Sequence, residues 1–75
     1  MIDTFRNNND DEALFALAKK YDDADVYEKA LPIFEKLAVK GHSMAQSYLG
    51  LYYENGYAGL KVNIRKAFGL YLKSA

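Results

Sequence analysis

One histidine, no cysteine and no tryptophan leave this 75-residue chain few side chains with which to do chemistry. His42 stands alone, so a multi-histidine metal site cannot form. Thiol redox chemistry, cysteine nucleophiles and zinc ribbons go with the missing cysteines. Asp22, Asp23 and Asp25 are spaced like the start of a calcium loop, but the glycine and bidentate glutamate that complete such a loop are absent. Lys61, Arg65, Lys66 and Lys73 could touch phosphates, yet no base-stacking aromatic platform is arranged with them. Glu54 is the only carboxylate after residue 35, which excludes paired acid–base chemistry from that half. No Ser/His/Asp arrangement and no glycine-rich phosphate loop is present. We therefore expect no enzyme, no cofactor and no metal. His42 reads as a turn or capping residue, and the basic cluster as a solvated helix face.

The elements that position these residues follow from size and pattern. A chain of 8.5 kDa makes one domain, and folding at this size hides only about 60% of the unfolded surface. With 51% apolar and 27% charged residues the composition is globular. Ten basic and ten acidic groups cancel, so no whole-chain field points to nucleic acid or to an anionic membrane. The charges are segregated, however. Residues 1–35 hold nine acids and four bases, and residues 36–75 hold one acid and six bases. Such a dipolar chain could stack head to tail on itself. No apolar run reaches the ~18 residues of a membrane span, and the first residues do not read as a secretory signal. The expected location is cytoplasmic.

Residues 7–11, N-N-N-D-D, favour turns and caps and are expected to separate an N-terminal segment, 1–11, from the first helix. That helix is predicted from Asp11 to Tyr21, with Leu14, Leu17, Ala18 and Tyr21 on one stripe. Asp25 is a plausible N-cap for a second helix over Val26–Val39, in which Pro32 predicts a kink and Gly41 a stop. Ser43 is expected to cap a third helix reaching about Asn55, with Ala45, Tyr48, Leu49, Tyr52 and Tyr53 as its stripe. Asn63 caps a fourth over Ile64–Ser74, with Ala67, Phe68, Leu70 and Tyr71 inward. The predicted fold class is all-α: four helices in two hairpins that form a short α-solenoid, with room for a short N-terminal helix.

Self-comparison shows why two hairpins are expected. K-A-L-P-I-F-E-K-L-A at 29–38 overlays K-A-F-G-L-Y-L-K-S-A at 66–75 with an offset of 37. A-L-F-A-L-A-K-K-Y at 13–21 overlays A-Q-S-Y-L-G-L-Y-Y at 45–53 with an offset of 32. The second copy, residues 43–75, resembles a Sel-one-like repeat through Ser43, Ala45, Leu49, Gly50, Tyr53, Gly56, Gly59, Lys66 and Ala67. It departs from that pattern where Tyr57 and Ala58 both separate the loop glycines, at Asn63, and at Leu70–Tyr71. The first copy, residues 12–42, is closer to a tetratricopeptide unit through Leu14, Leu17, Ala18, Tyr21, Tyr27, Ala30 and Phe34.

The resemblance implies a protein–protein interaction module, an adaptor or assembly scaffold, whose partner is another protein or peptide. It also implies a groove lined by the first helix of each hairpin, here Phe15, Lys19, Asp22, Ser47, Leu51, Glu54 and Asn55. Phe15 and Leu51 support that groove independently, since both lie beside a packing stripe where a solvated surface does not need them. The competing reading covers them with Ile2 and Phe5 of the N-terminal segment. Tyr21, Tyr27, Tyr53 and Tyr71 fit core positions. Tyr48, Tyr52 and Tyr57 are left as candidate exposed contacts, because helices three and four cannot bury all three rings together with Tyr53. Two repeats are fewer than a stable stack usually needs, so Phe68 and Leu72 are expected to be open-end contacts, partly exposed. They would meet more repeats or another chain. Self-assembly through the repeat ends is the alternative function, and weak polyanion binding by the basic half is a lesser one. Neither nucleic acid nor membrane is the expected partner.

Overall fold

The structure, a computed structural model, describes residues 2–75, with side chains described from Asp10 onward. Four helices account for it: α1 Ile2–Asp23, α2 Tyr27–Val39, α3 Ser43–Asn55 and α4 Ile64–Ser74, with a 3-10 turn at Tyr57–Gly59. No strand occurs among the described residues. α1 packs on α2, α2 on α3, and α3 on α4. The chain is thus two helical hairpins side by side, the arrangement of a short helical repeat.

The helix starts differ from the sequence expectation in three places, each for a local reason. First, α1 runs unbroken through N-N-N-D-D from Ile2, so 1–11 is not a separate segment. Asn and Asp cost a helix at most ~0.7 kcal/mol each against alanine, too little to stop one as proline would. Whether the Ile2 and Phe5 side chains cover Phe15 and Leu51 lies outside the described residues.

Second, Asp25 does not cap α2. Its φ of +61° makes it the left-handed residue that ends α1. The Val26 N–H donates to the Tyr21 carbonyl at 2.8 Å and the Asp25 N–H to the Asp22 carbonyl at 3.0 Å, the bond pair of a Schellman motif. α2 therefore starts after Val26 with no side-chain cap. Third, the N-cap of α3 is His42 rather than Ser43, its Nδ1 accepting the Ala45 N–H at 3.1 Å. An acceptor Nδ1 requires the neutral ring with its proton on Nε2.

Other punctuation falls where the residue types ask for it. Gly41, at φ +91°, ends α2 with a second Schellman pair, Gly41 N–H to Ala38 and His42 N–H to Leu37, both at 3.0 Å. Pro32 does not interrupt α2. The carbonyl it leaves without a donor belongs to Glu28, and both residues are exposed, so water can serve that carbonyl. Asn63 caps α4 by accepting the Lys66 N–H at 3.0 Å. Its own N–H donates to the Tyr53 carbonyl at 2.8 Å, which ties the loop to the end of α3.

The core is narrow and alanine-rich. Ala18, Ala30, Ala45 and Ala67 are almost completely buried, with Phe34, Leu37 and Tyr52 as the large fully buried side chains. Small residues let the helix axes approach, and aromatic rings fill what remains. Gly50 extends this logic to the α3–α4 contact. A Cβ there would stand 2.8 Å from Cε1 of Tyr71 and 3.2 Å from the Ala67 carbonyl oxygen. Gly69, by contrast, meets nothing within 4 Å, so no close packing explains it.

Two predictions follow in opposite directions. Gly50→Ala overpacks the hairpin and should destabilise by about 1–3 kcal/mol, whereas Gly69→Ala should stabilise by ~1 kcal/mol. In thermal unfolding followed by circular dichroism this is a shift of roughly 4–8 °C per kcal/mol for a domain of this size, downward and upward respectively. At the α1–α2 turn both Asp25→Gly and Asp25→Ala lose the acceptor of the Tyr27 phenol, so Asp25→Ala should lower the melting temperature clearly more than Asp25→Gly. Only glycine adopts a positive φ without a side-chain clash.

Candidate partner-binding surface

The aromatic residues that looked surplus are interior packing. Tyr48 stacks on Phe34 with ring centroids 4.7 Å apart and 5° between planes, and Phe15 meets both edge-on at 5.8 and 6.1 Å. Tyr57 stacks on Tyr27 at 4.3 Å, and Tyr52 sits edge-on to Tyr27, Phe34 and Tyr57 at 5.3–5.6 Å. Tyr52 is fully buried, and Tyr48 and Tyr57 are half-buried. The expectation of three exposed contacts is corrected here for a simple reason. These rings pack on α1 and α2 of the other hairpin, not only on α3 and α4.

The seven residues expected to line a groove are not one surface. Phe15 is half-buried between Phe34, Tyr48 and the His42 ring, the last at 4.7 Å. Asp22 accepts the Tyr52 phenol at 2.8 Å, which engages it in joining α1 to α3. Lys19 is exposed. The Asn55 amide turns back to the Leu51 carbonyl at 2.9 Å. Ser47 and Leu51 do come together, with Tyr48 and Tyr71, around a shallow hollow of ≈ 330 Å³ between α3 and α4. Glu54 accepts the Tyr71 phenol at 2.7 Å, and Ser47 is linked to Ser74 at 2.9 Å, so the rim of the hollow is held by hydrogen bonds.

Beside that hollow lies an apolar row that no side chain covers among the described residues. Ile64, Phe68 and Leu72 recur every four residues on the outer face of α4 and are 51%, 66% and 78% exposed. Phe68 is therefore not inward with Ala67, Leu70 and Tyr71 as its helix stripe suggested. Leu51, 39% exposed, extends apolar surface onto α3. The wheel explains the error. Residues 64, 68, 72 and 67, 70, 71 form two adjoining apolar arcs, and only the second has a neighbour.

Charge frames this face. α4 carries Arg65, Lys66 and Lys73 and no acid. The Lys66 ammonium stands 4.7 Å from the centre of the Tyr53 ring, so this cation of the basic cluster takes part in packing. Lys40 pairs with Asp11 at 2.8 Å across α1 and α2. Among the described residues, no three His, Asp or Glu side chains converge as metal ligands, and no helix is long and apolar enough to cross a membrane. Asp22 and Asp25, from the calcium-like run, each accept a tyrosine hydroxyl, from Tyr52 and Tyr27.

Compared with models of known protein families, with curated proteins and with solved structures, the chain matches none.

Three phenols are tuned by these contacts. The hydrogen bond to Asp25 pushes Tyr27 up to about 12. Burial, and then the bond to Glu54, pushes Tyr71 up to about 12. Burial, and then donation to Asp22, raises Tyr52 as well. Each folded value lies above the ~10 of an unfolded tyrosine. The stabilisation is therefore complete below about pH 10 and is lost as pH rises through the folded values, about 12 for Tyr27 and Tyr71 and higher for Tyr52. Alkaline titration of tyrosinate absorbance should show late-ionising phenols whose ionisation coincides with loss of helix. Tyr52→Phe should cost about 1 kcal/mol at neutral pH and flatten the alkaline loss of stability.

Proposed function

We propose that the protein is a protein–protein interaction module, an adaptor or assembly scaffold of the Sel-one-like and tetratricopeptide type. One observation carries this reading: the row Ile64, Phe68 and Leu72, exposed on α4 beside the α3–α4 hollow lined by Ser47, Tyr48, Leu51 and Tyr71. Single exposed apolar residues need no explanation, but a contiguous row rimmed by charge is the mark of an interaction site. An aromatic side chain at its centre adds the kind of anchor that carries binding energy. The internal sequence repeat and the side-by-side hairpins agree with a scaffold that extends by adding helices.

In this reading the working surface is the outer face of α4 with the adjoining edge of α3, not a groove along α1 and α3. The partner presents an apolar helix or segment across that face, and Arg65 at its margin favours acidic flanks on the partner. Affinity capture from the protein's own cells should recover a component with the wild-type chain that Leu72→Glu loses. Val39→Glu, on an exposed residue of α2, should retain it. Recovery unaffected by Leu72→Glu would rule this surface out.

A further inference from the structure

Resting on that reading of the α4 face, we infer that its occupant is α1 of a second copy of this chain, docked head to tail. The argument starts from an interface the chain already makes. α3 sits on α2 through Ala45, Tyr48, Leu49 and Tyr52, which are buried or half-buried. The receiving side of α2 has Phe34 at one edge, stacked on Tyr48 at 4.7 Å, and a row that includes Tyr27, edge-on to Tyr52 at 5.6 Å, and Ala38, whose carbonyl accepts the Gln46 amide at 3.2 Å. Leu31 and Glu35 lie between them on the same side of the helix.

The sequence repeat carries each half of this interface onto a free surface. Shifted by 32, the α3 face becomes Ala13, Ala16, Leu17 and Lys20 on α1, and all four are exposed. Shifted by 37, the α2 row becomes Ile64, Phe68, Leu72 and Ala75, also exposed, and Phe34 becomes Tyr71, half-buried at the edge of the adjoining hollow. One chain thus displays both partners of a contact it makes once internally, and the two displayed halves cannot meet within one molecule because α2 and α3 lie between them. Bulk is redistributed between the two faces. Ala16 stands where α3 has Tyr48, while Phe68 stands where α2 has Leu31 and Leu72 where it has Glu35. A smaller α1 face meets a larger α4 row.

Charge selects this pairing over a symmetric one. Two α4 helices face to face would bring the Arg65 side chains of both copies together at the margin of the row, with no acid on either helix to offset them. α1 offers the exposed Asp10, Glu12 and Asp23 against Lys19 and Lys20, while Asp11 and Asp22 are engaged with Lys40 and Tyr52. The acidic helix on the basic one lowers the repulsion, and such attraction between exposed charges is screened by salt. A head-to-tail contact of this kind leaves one free face of each type and so propagates rather than closing as a dimer.

The test is the mass in solution, by sedimentation, of the wild type and two variants at exposed positions. Leu72→Glu breaks the α4 face and keeps α1. Ala16→Lys breaks the α1 face and keeps α4. The wild type should grow in mass with concentration beyond a dimer, and less so in high salt. Each variant alone should weaken association by at least about tenfold, equivalent to ~1.4 kcal/mol, with unchanged helical circular dichroism. Mixed in equal amounts, the two should form a one-to-one dimer and nothing larger. A wild type that stays monomeric at millimolar concentration overturns the proposal, as does an Ala16→Lys chain that associates like the wild type, or a mixture that stays monomeric. A monomeric wild type whose captured partner still depends on Leu72 would remove the second copy and leave the interaction module standing.

Discussion

Phe34 is the residue on which the two hairpins turn. It lies fully buried on α2, stacked flat against Tyr48 of α3 at 4.7 Å and edge-on to Phe15 of α1 and Tyr52 of α3. Three helices therefore share one ring, and through Tyr52 the cluster reaches Tyr27 and the stacked Tyr57 in the α3–α4 loop. A chain this small has no second core to fall back on. The aromatic cluster also has to accommodate polar tips. Tyr52 does so by donating to Asp22, a buried phenol that would otherwise lack a partner at substantial cost. That bond fixes the end of α1 against the last turn of α3, so one side chain joins packing of the core to registration of the first and third helices.

Around this cluster, small residues do the complementary work. Alanines at 18, 30, 45 and 67 and glycine at 50 mark the sites where helices come closest. The turns are set as tightly. Two Schellman closures, at Val26–Tyr21 and His42–Leu37, end α1 and α2 so abruptly that only three residues separate each helix from the next. Short connections keep sequential helices adjacent, which is why each helix packs on its neighbour in sequence. The longer α3–α4 loop needs its own anchors, and the bonds of Asn63 to Tyr53 and Lys66 provide them.

The all-helical class, the four helices and the approximate limits of the last three were legible because three- and four-residue spacing is a local signal, whereas the start of α1 was missed because N-N-N-D-D only weakly opposes a helix. So were Gly41 and Asn63, whose roles depend only on backbone angles or on a short side chain reaching three residues ahead. Asp25 was misjudged because the same residue type suits an N-cap and a left-handed C-terminal position. With turns of this length the two sites are neighbours. His42 was weighed as a cap, but its neighbour Ser43 had the stronger residue preference. Tyr52 was misplaced for a deeper reason. Helical phase shows which face a residue occupies, whereas its burial depends on how many other helices reach that face. The expected groove failed in the same way, since Phe15 and Asp22 are held by α3, a helix distant in sequence.

α4 shows the same rule from the other side. Its apolar surface spans more than half the helix, and the part carrying Ala67, Leu70 and Tyr71 is covered by α3. The adjoining part, with Ile64, Phe68 and Leu72, is composed no differently and is open. In α2 the corresponding row holds Tyr27 and Leu31, both half-buried because a third helix lies on them. Buried and open apolar rows are thus the same sequence feature at two positions in a repeat. What separates them is whether a further helix lies on the row. A repeat architecture makes this unavoidable, because each unit must be apolar toward both neighbours to stack at all. The exposed apolar row of α4 thus presents once more the kind of face by which the two hairpins hold together.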